Sequence, residues 1–456
     1  MVRIYFDWNV FSNMRKKTNN LFGKIENFAK SNENHILLIY STAHLEDLYG
    51  SYSNSTESRR ETENDLIYLG EITRNHAVGH SSISNETRMG VECPTKYFKD
   101  NYVNNFPIRF LENILDKYNN LLKLPTRIDF TSNSNLPDNY KGLLTLFPKT
   151  KEEDCLKSFI RDLLDISINS DKFDKVFREL RGNFNSDLKI KTDEKSWKDP
   201  FNHINKILKK CNIDKGITQY LNEYIVKTKP SATLFDIFIQ FYITLDLYGY
   251  KKDKNTSNLI TDSMHSYYGA HTDIFVTDDS NTNEKSKILY KEFNILTDVL
   301  YSNEFINHIE KKIFSKEKTI NDQLQLTLSN LILIPEIFDD EGKQVEIYKV
   351  SPFFLNYFDR LQIGRLEKHE ILMFTKKKGN YSSSIFWTEI KEVLNKITTQ
   401  FGDDESNNGL LEENEKDEIN NLRWDGRFWE TNSFNIVVKY ENPYRLRLSV
   451  IGKFFN

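Results

Sequence analysis

Apolar residues along this 456-residue chain fall into two spacings, and the change of spacing divides it. Near the start they form short unbroken runs: Ile4-Tyr5-Phe6 stops at Asp7, and His35-Ile36-Leu37-Leu38-Ile39-Tyr40 stops at Ser41-Thr42. Runs of this length without alternation predict strands buried on both faces, as in a parallel sheet covered by helices. Residues 1 to about 85 therefore read as strand, helix, strand, helix. Far downstream Ile274-Phe275-Val276 repeats the pattern and passes through Thr277 into Asp278-Asp279, and Asn294-Ile295-Leu296 predicts one more strand.

Between about 95 and 232 the spacing becomes three and four, at Phe110, Ile114, Leu115, Tyr118 and Leu122 and again at Leu156, Phe159, Ile160, Leu163 and Leu164. That spacing predicts amphipathic helices packed on one another. The stretch from Leu234 to Leu247 is apolar almost all round and predicts a buried helix that returns the chain to the sheet. Beyond 325, Leu331-Ile332-Leu333-Ile334 and Val345-Glu346-Ile347-Tyr348 flank Asp339-Asp340-Glu341-Gly342 as a hairpin. A helix near Ile385 to Phe401 follows, the acidic stretch Asp403 to Asn420 reads as a solvated loop, and two alternating strands close the chain around Ile436 and Leu448. The expected fold is α/β: a parallel sheet flanked by helices (1–92 and 233–325), a large helical insertion (93–232) and a C-terminal α+β accessory domain (326–456).

The chemistry sits where these runs end. In open α/β sheets ligands bind outside the carboxyl ends of the strands, where Asp7 and Asp279 fall. Ser41-Thr42 caps a helix carrying Glu46, and Asp262 opens the helix that leads to the second strand group. Several carboxylates within a few Å cannot all ionise without a cation, and oxygen donors favour Mg²⁺ or Mn²⁺.

This set resembles the PIN-domain metal-dependent nucleases. The matching residues are Asp7 and Asn9 in Phe6-Asp7-Trp8-Asn9-Val10, Glu46 on the following helix, Asp262 on a late helix, and Thr277 with Asp279 at a strand end. The likeness covers roughly the first 80 residues and 235 to 300. In compact members the second and third acids lie much closer together, so an insertion separates them here. The resemblance implies a PIN-like sheet and phosphodiester hydrolysis, with Asp7, Asp262 and Asp279 binding Mg²⁺ or Mn²⁺. Glu46 would be a fourth catalytic acid, as ligand or water-orienting group. Asn9 would steady the Asp7 loop and Thr277 would hold Asp279, while Asp278 and Asp273 rival Asp279 for the last position. RNA is favoured over DNA as the nucleic-acid substrate, and a regulatory protein partner would act through the insertion or accessory domain. The alternative is a catalytically inactive PIN-like scaffold that binds RNA or a protein.

Other residues carry further candidate roles. His265 lies one helical turn after Asp262 and either touches the scissile phosphate, holds Asp262, or is simply structural. Lys285 is a candidate substrate-phosphate contact. His76 and His80 have a zinc-like spacing with no third ligand. Trp424 to Trp429 is dense in aromatics and fits a domain core better than a base-stacking surface.

A formal charge of −4 supplies no global basic field, so nucleic-acid binding has to come from local patches. With 32 Phe and 23 Tyr, aromatics carry the core. Cys93, Cys155 and Cys211 form no Cys-x-x-Cys pair, which points to a reducing compartment. No apolar run suits a membrane span and no signal-peptide pattern is present, so a cytoplasmic location with no membrane partner is expected.

Overall fold

The computed structural model describes residues 1–52, 55–81, 84–103, 178, 199–210, 214–228, 232–253, 258–313, 318–334, 345–365, 367–376, 383–421, 423–441 and 445–455. The amphipathic segments expected at Phe110 to Leu122 and Leu156 to Leu164 lie outside the described residues. Among the described residues no helix is long and apolar enough to cross a membrane.

The unbroken apolar runs do form a parallel sheet. Strand β1 (Val2–Phe6) pairs in parallel with β2 (Ile36–Ser41) and with β5 (Ile274–Val276). Beyond them β3 (His76–Ser81) pairs in parallel with β2, β6 (Asp298–Leu300) with β5, and β4 (Glu86–Val91) runs antiparallel to β3. The order is β4-β3-β2-β1-β5-β6. Alternate residues of each central strand enter different cores, as the pleat requires. Tyr5, Leu37, Ile39 and Phe275 pack on one face against Phe238, Phe241, Tyr242 and Leu245 of the Leu234–Leu247 helix, the buried helix expected. Ile4, Phe6, Ile36, Leu38 and Val276 pack on the other against Val10, Phe11, Leu45, Leu66 and Phe305.

Two local readings need correction. The last strand is β6 and not Asn294-Ile295-Leu296. That run is the turn ending the Ser280–Glu292 helix, with Asn294 at φ 53° and the Ile295 N–H bonded to Tyr290 O at 2.7 Å. The β3–β4 hairpin carries mixed residues, with exposed Arg88 and Val91, and so has no apolar signal.

The C-terminal unit is a seven-stranded antiparallel sheet, ordered β11-β12-β13-β10-β9-β8-β7. Its strands are β7 (Ile332–Ile334), β8 (Ile347–Phe354), β9 (Phe358–Arg365), β10 (Glu370–Thr375), β11 (Arg427–Glu430), β12 (Phe434–Glu441) and β13 (Arg445–Gly452). Leu361, Leu372, Phe374, Ile436, Val438, Leu446, Leu448 and Val450 point inward onto Phe386, Ile390, Val393 and Ile397 of the Ser383–Phe401 helix. The expected hairpin is β7–β8 and the expected helix is present. The acidic stretch is not all loop. It contains a Glu413–Asn420 helix, because buried Arg427 bonds Glu415 (Nε to Oε1, 3.0 Å) and Trp424 Nε1 donates to the same carboxylate at 3.2 Å. Trp424 and Trp429 are buried as core residues, whereas Phe428 between them faces solvent.

The two sheets are joined by buried charge. Arg3 of β1 donates to Glu389 through Nε at 2.8 Å and Nη2 at 2.7 Å. Lys376 donates to Asp273 at 3.0 Å, and Asp273 also accepts the Arg3 N–H at 2.7 Å.

Candidate metal centre

Asp7 follows β1 directly and is the N-cap residue of the Trp8–Lys16 helix, yet its side chain does not cap that helix. Its backbone N–H is held by Val276 O at 2.9 Å, and its Oδ2 accepts the Thr277 hydroxyl at 2.7 Å. The carboxylate is thereby fixed in the crevice between β1 and β5. Thr277 also accepts the Asp279 N–H at 3.2 Å, so one buried hydroxyl ties the two strand ends together. Asn9, expected to steady the Asp7 loop, is exposed in the first helical turn, and Thr277, expected to hold Asp279, steadies the Asp7 carboxylate.

His265 reaches the same point from the Leu259–Gly269 helix. Its Nε2 lies 2.8 Å from Asp47 Oδ2 and 3.7 Å from Asp7 Oδ1, while Nδ1 meets the Tyr5 hydroxyl at 2.7 Å. Tyr5 is fixed in turn by Ser41 Oγ at 2.6 Å. Ligand atoms of Asp7, Asp47 and His265 lie within 4.8 Å of one another, a spacing that one cation can bridge. Asp7 and His265 are buried, and Asp47 is 28% exposed, which leaves the centre open on its side.

The helix after β2 supplies its acid one residue later than expected. Neighbouring residues on a helix point in different directions. Asp47 faces Asp7, whereas Glu46 Oε1 accepts the Tyr102 hydroxyl at 2.8 Å and lies outside the group. His44, one turn earlier, is structural: Nδ1 accepts the Ser41 N–H at 2.9 Å and Nε2 donates to Phe6 O at 2.7 Å.

Asp262 and Asp279 border this centre. Asp279 Oδ1 accepts the Thr282 N–H at 2.7 Å and so caps the Ser280–Glu292 helix. Asp262 lies in the first turn of the His265 helix. Burial holds its pKa well above the carboxylate range, and Asp7, Asp253, Asp279 and Asp47 push the same way. Asp7 is also raised, by burial first and then by Asp47 and Asp279, against His265 and the Thr277 hydrogen bond. Burial disfavours the His265 imidazolium, but Asp7 and Asp47 more than offset it and its pKa is raised. These shifts describe a set of acids short of positive charge, the condition a bound cation relieves.

Three further expectations are overturned. Lys285 is fully buried, with Nζ 2.8 Å from both Asp246 and Asp253 and lying over the Tyr242 ring, so it is an internal counter-charge and not a phosphate contact. Asp273 belongs to the opposite, amino end of β5, where Arg3 and Lys376 hold it. Asp278 turns away to the Ser302–Ile309 helix, accepting the Ser302 N–H at 2.9 Å and hydroxyl at 2.7 Å. His76 and His80, for which no third ligand was found in sequence, share a strand, about 13 Å apart at strand rise, and each bonds a nearby oxygen, Thr73 O at 2.8 Å and Thr87 Oγ1 at 3.1 Å.

The signal that would have found Asp47 is its adjacency to Glu46; Tyr5 and Ser41, apolar-run and cap residues in sequence, carried none. Comparison with known proteins returns no match, whether to a protein-family model, to a curated relative or to a solved structure.

Proposed function

We propose that this chain is a divalent-metal-dependent endonuclease that hydrolyses phosphodiester bonds on a PIN-like domain, with RNA favoured over DNA. The observation that carries the reading is the convergence of Asp7, Asp47 and His265 within 4.8 Å outside the carboxyl ends of the parallel strands. Asp262 and Asp279 extend it as a carboxylate wall felt by Asp7.

In this reading Asp7, Asp47 and His265 hold the ion. The imidazole nitrogen suits Mn²⁺ and other first-row divalent ions better than an all-oxygen set would. A divalent ion there supplies charge neutralisation on the phosphate oxygens and an acidified water. The Thr277 hydrogen bond favours the ionised form of Asp7 and aims it. Tyr5, anchored by Ser41, orients the His265 ring, as partners of metal-bound histidines do. Asp262, with its raised proton affinity, is the group suited to take up the proton of the attacking water.

The test is cleavage of labelled single-stranded RNA and DNA with Mn²⁺, with Mg²⁺ and with EDTA, comparing wild type with Asp7→Ala and Asp279→Ala. Metal-dependent cutting lost in both variants is the expected result; no cutting with any metal would sink the enzyme and leave the scaffold.

Two smaller predictions concern the same centre. Tyr5→Phe removes the hydroxyl that orients His265 and should weaken Mn²⁺ binding, read by calorimetric titration, by about 10- to 100-fold. An unchanged dissociation constant would remove Tyr5 from the centre. The second follows from the raised Asp262 pKa: a raised carboxyl contributes stability that is complete below the ordinary carboxylate range and is lost as pH rises through the folded value. Asp262→Asn should therefore raise the metal-free Tm at pH 8, by about 2–4 °C for each kcal/mol regained. It should raise nothing at pH 4. A Tm difference independent of pH would contradict the assignment.

A further inference from the structure

The strand register of the C-terminal sheet places basic side chains in one row on the face opposite the Ser383–Phe401 helix. Leu361, Phe374, Val438 and Leu448 point inward, so Arg360, Thr375, Lys439 and Arg447 point outward. The Cα pairing aligns them: Lys439 opposite Arg447, Arg447 opposite Thr375, Thr375 opposite Arg360, and Arg360 opposite Lys349. Five strands thus carry Lys-Arg-Thr-Arg-Lys in a line about 19 Å long at ordinary strand separation.

Two of these cross-strand neighbours are like-charged pairs, Lys439 with Arg447 and Lys349 with Arg360. A parallel row two residues along, on the same face, holds Phe428, Val437, Ser449, Met373 and Gln362. Phe428 is 37% exposed, and Phe428, Val437 and Met373 belong to none of the three buried cores. The acidic residues near this face lie at its margins: Glu430 at one corner, and Asp359 and Asp298 in the small cleft that Lys349 and Arg360 share with the first sheet.

We infer that this face docks single-stranded nucleic acid, the phosphates along the basic row and the bases over the row beginning at Phe428. The complementarity is to a linear polyanion with an apolar side, which a single strand presents. A row of single cations follows one phosphate backbone. The inference extends the nuclease reading by giving it a substrate-holding surface distant from Asp7, and it is read by binding, without cleavage.

The experiment is fluorescence anisotropy of a labelled single-stranded RNA with the full chain in EDTA, across a salt series. Wild type and Asp278→Asn should bind alike. The triple variant Arg360→Gln, Lys439→Gln, Arg447→Gln should bind at least tenfold more weakly. Its slope of log affinity against log salt should flatten by about 2, at about 0.7 per lost phosphate contact. Lys439→Glu, a single change at an exposed position, guards against misfolding of the triple variant and should also bind more weakly. Unchanged affinity and slope in both variants would overturn the inference and leave the Asp7 centre untouched. Wild type that ignores single strands but binds acidic phospholipid vesicles would also overturn it.

Discussion

Asp7→Asn should abolish metal-dependent cleavage, by about 10³-fold or more in kcat, the equivalent of the several kcal/mol a bound metal contributes to the transition state. The substitution keeps the shape and leaves an amide oxygen for the Thr277 hydroxyl, so the crevice between β1 and β5 stays tied. What it removes is charge at the point where Asp47 and His265 converge. A second readout is independent of turnover. An ion binding only the folded state at 100 times its Kd adds about 2.7 kcal/mol of stability, and this Mn²⁺-induced rise in Tm should vanish in Asp7→Asn. Without metal the variant should melt slightly above wild type at neutral pH, because the buried Asp7 carboxyl is raised and its ionisation opposes folding. Asp278→Asn is the matched control: it touches only the cap of the Ser302–Ile309 helix and should cut normally. Full cleavage by Asp7→Asn, or an undiminished Mn²⁺-induced Tm rise in that variant, would end the metal-centre reading.

The parts of this site legible in sequence are those fixed by the main chain. An unbroken apolar run ending in Asp declares both a central strand and a carboxylate at its carboxyl end, so Asp7 and the β1, β2 and β5 strands follow from pattern alone. A carboxylate's direction depends on helical phase, which pattern leaves open by one residue; Asp47 replaced Glu46 for that reason, with Tyr102 claiming the latter. Lys285 has the look of a surface lysine because its partners, Asp246 and Asp253, are 39 and 32 residues away in sequence. β3 and β4 alternate too weakly to announce themselves. The C-terminal sheet shows the converse: alternation gives its inner face, and only pairing register reveals that the outward cations of five strands fall in one row.

Glu389→Gln should cost about 3–5 kcal/mol of folding stability, the usual penalty for leaving a buried ion without its partner. Glu389 is fully buried and takes two hydrogen bonds from Arg3, itself 3% exposed, with Lys376 3.8 Å away. The variant strands Arg3 at the junction of the two sheets, and the urea midpoint should fall accordingly. Burial alone would raise the Glu389 and Asp273 carboxyls, but Arg3 and Lys376 outweigh it and hold both below their ordinary values. A lowered carboxyl contributes stability that is present above its unfolded pKa and is lost as pH falls through the folded one. Acid should therefore loosen this junction, and Glu389→Gln should flatten the acid branch of the stability curve. The paired replacement Arg3→Met with Glu389→Leu removes both charges and should recover most of the loss, since apolar substitutes for buried ion pairs are often neutral or better. The junction lies at the amino ends of β1 and β5, opposite Asp7, so cleavage per folded molecule should be unchanged in the paired variant. A paired variant as unstable as Glu389→Gln would mean that the charges themselves, and not the burial of an unpaired one, hold the two sheets together.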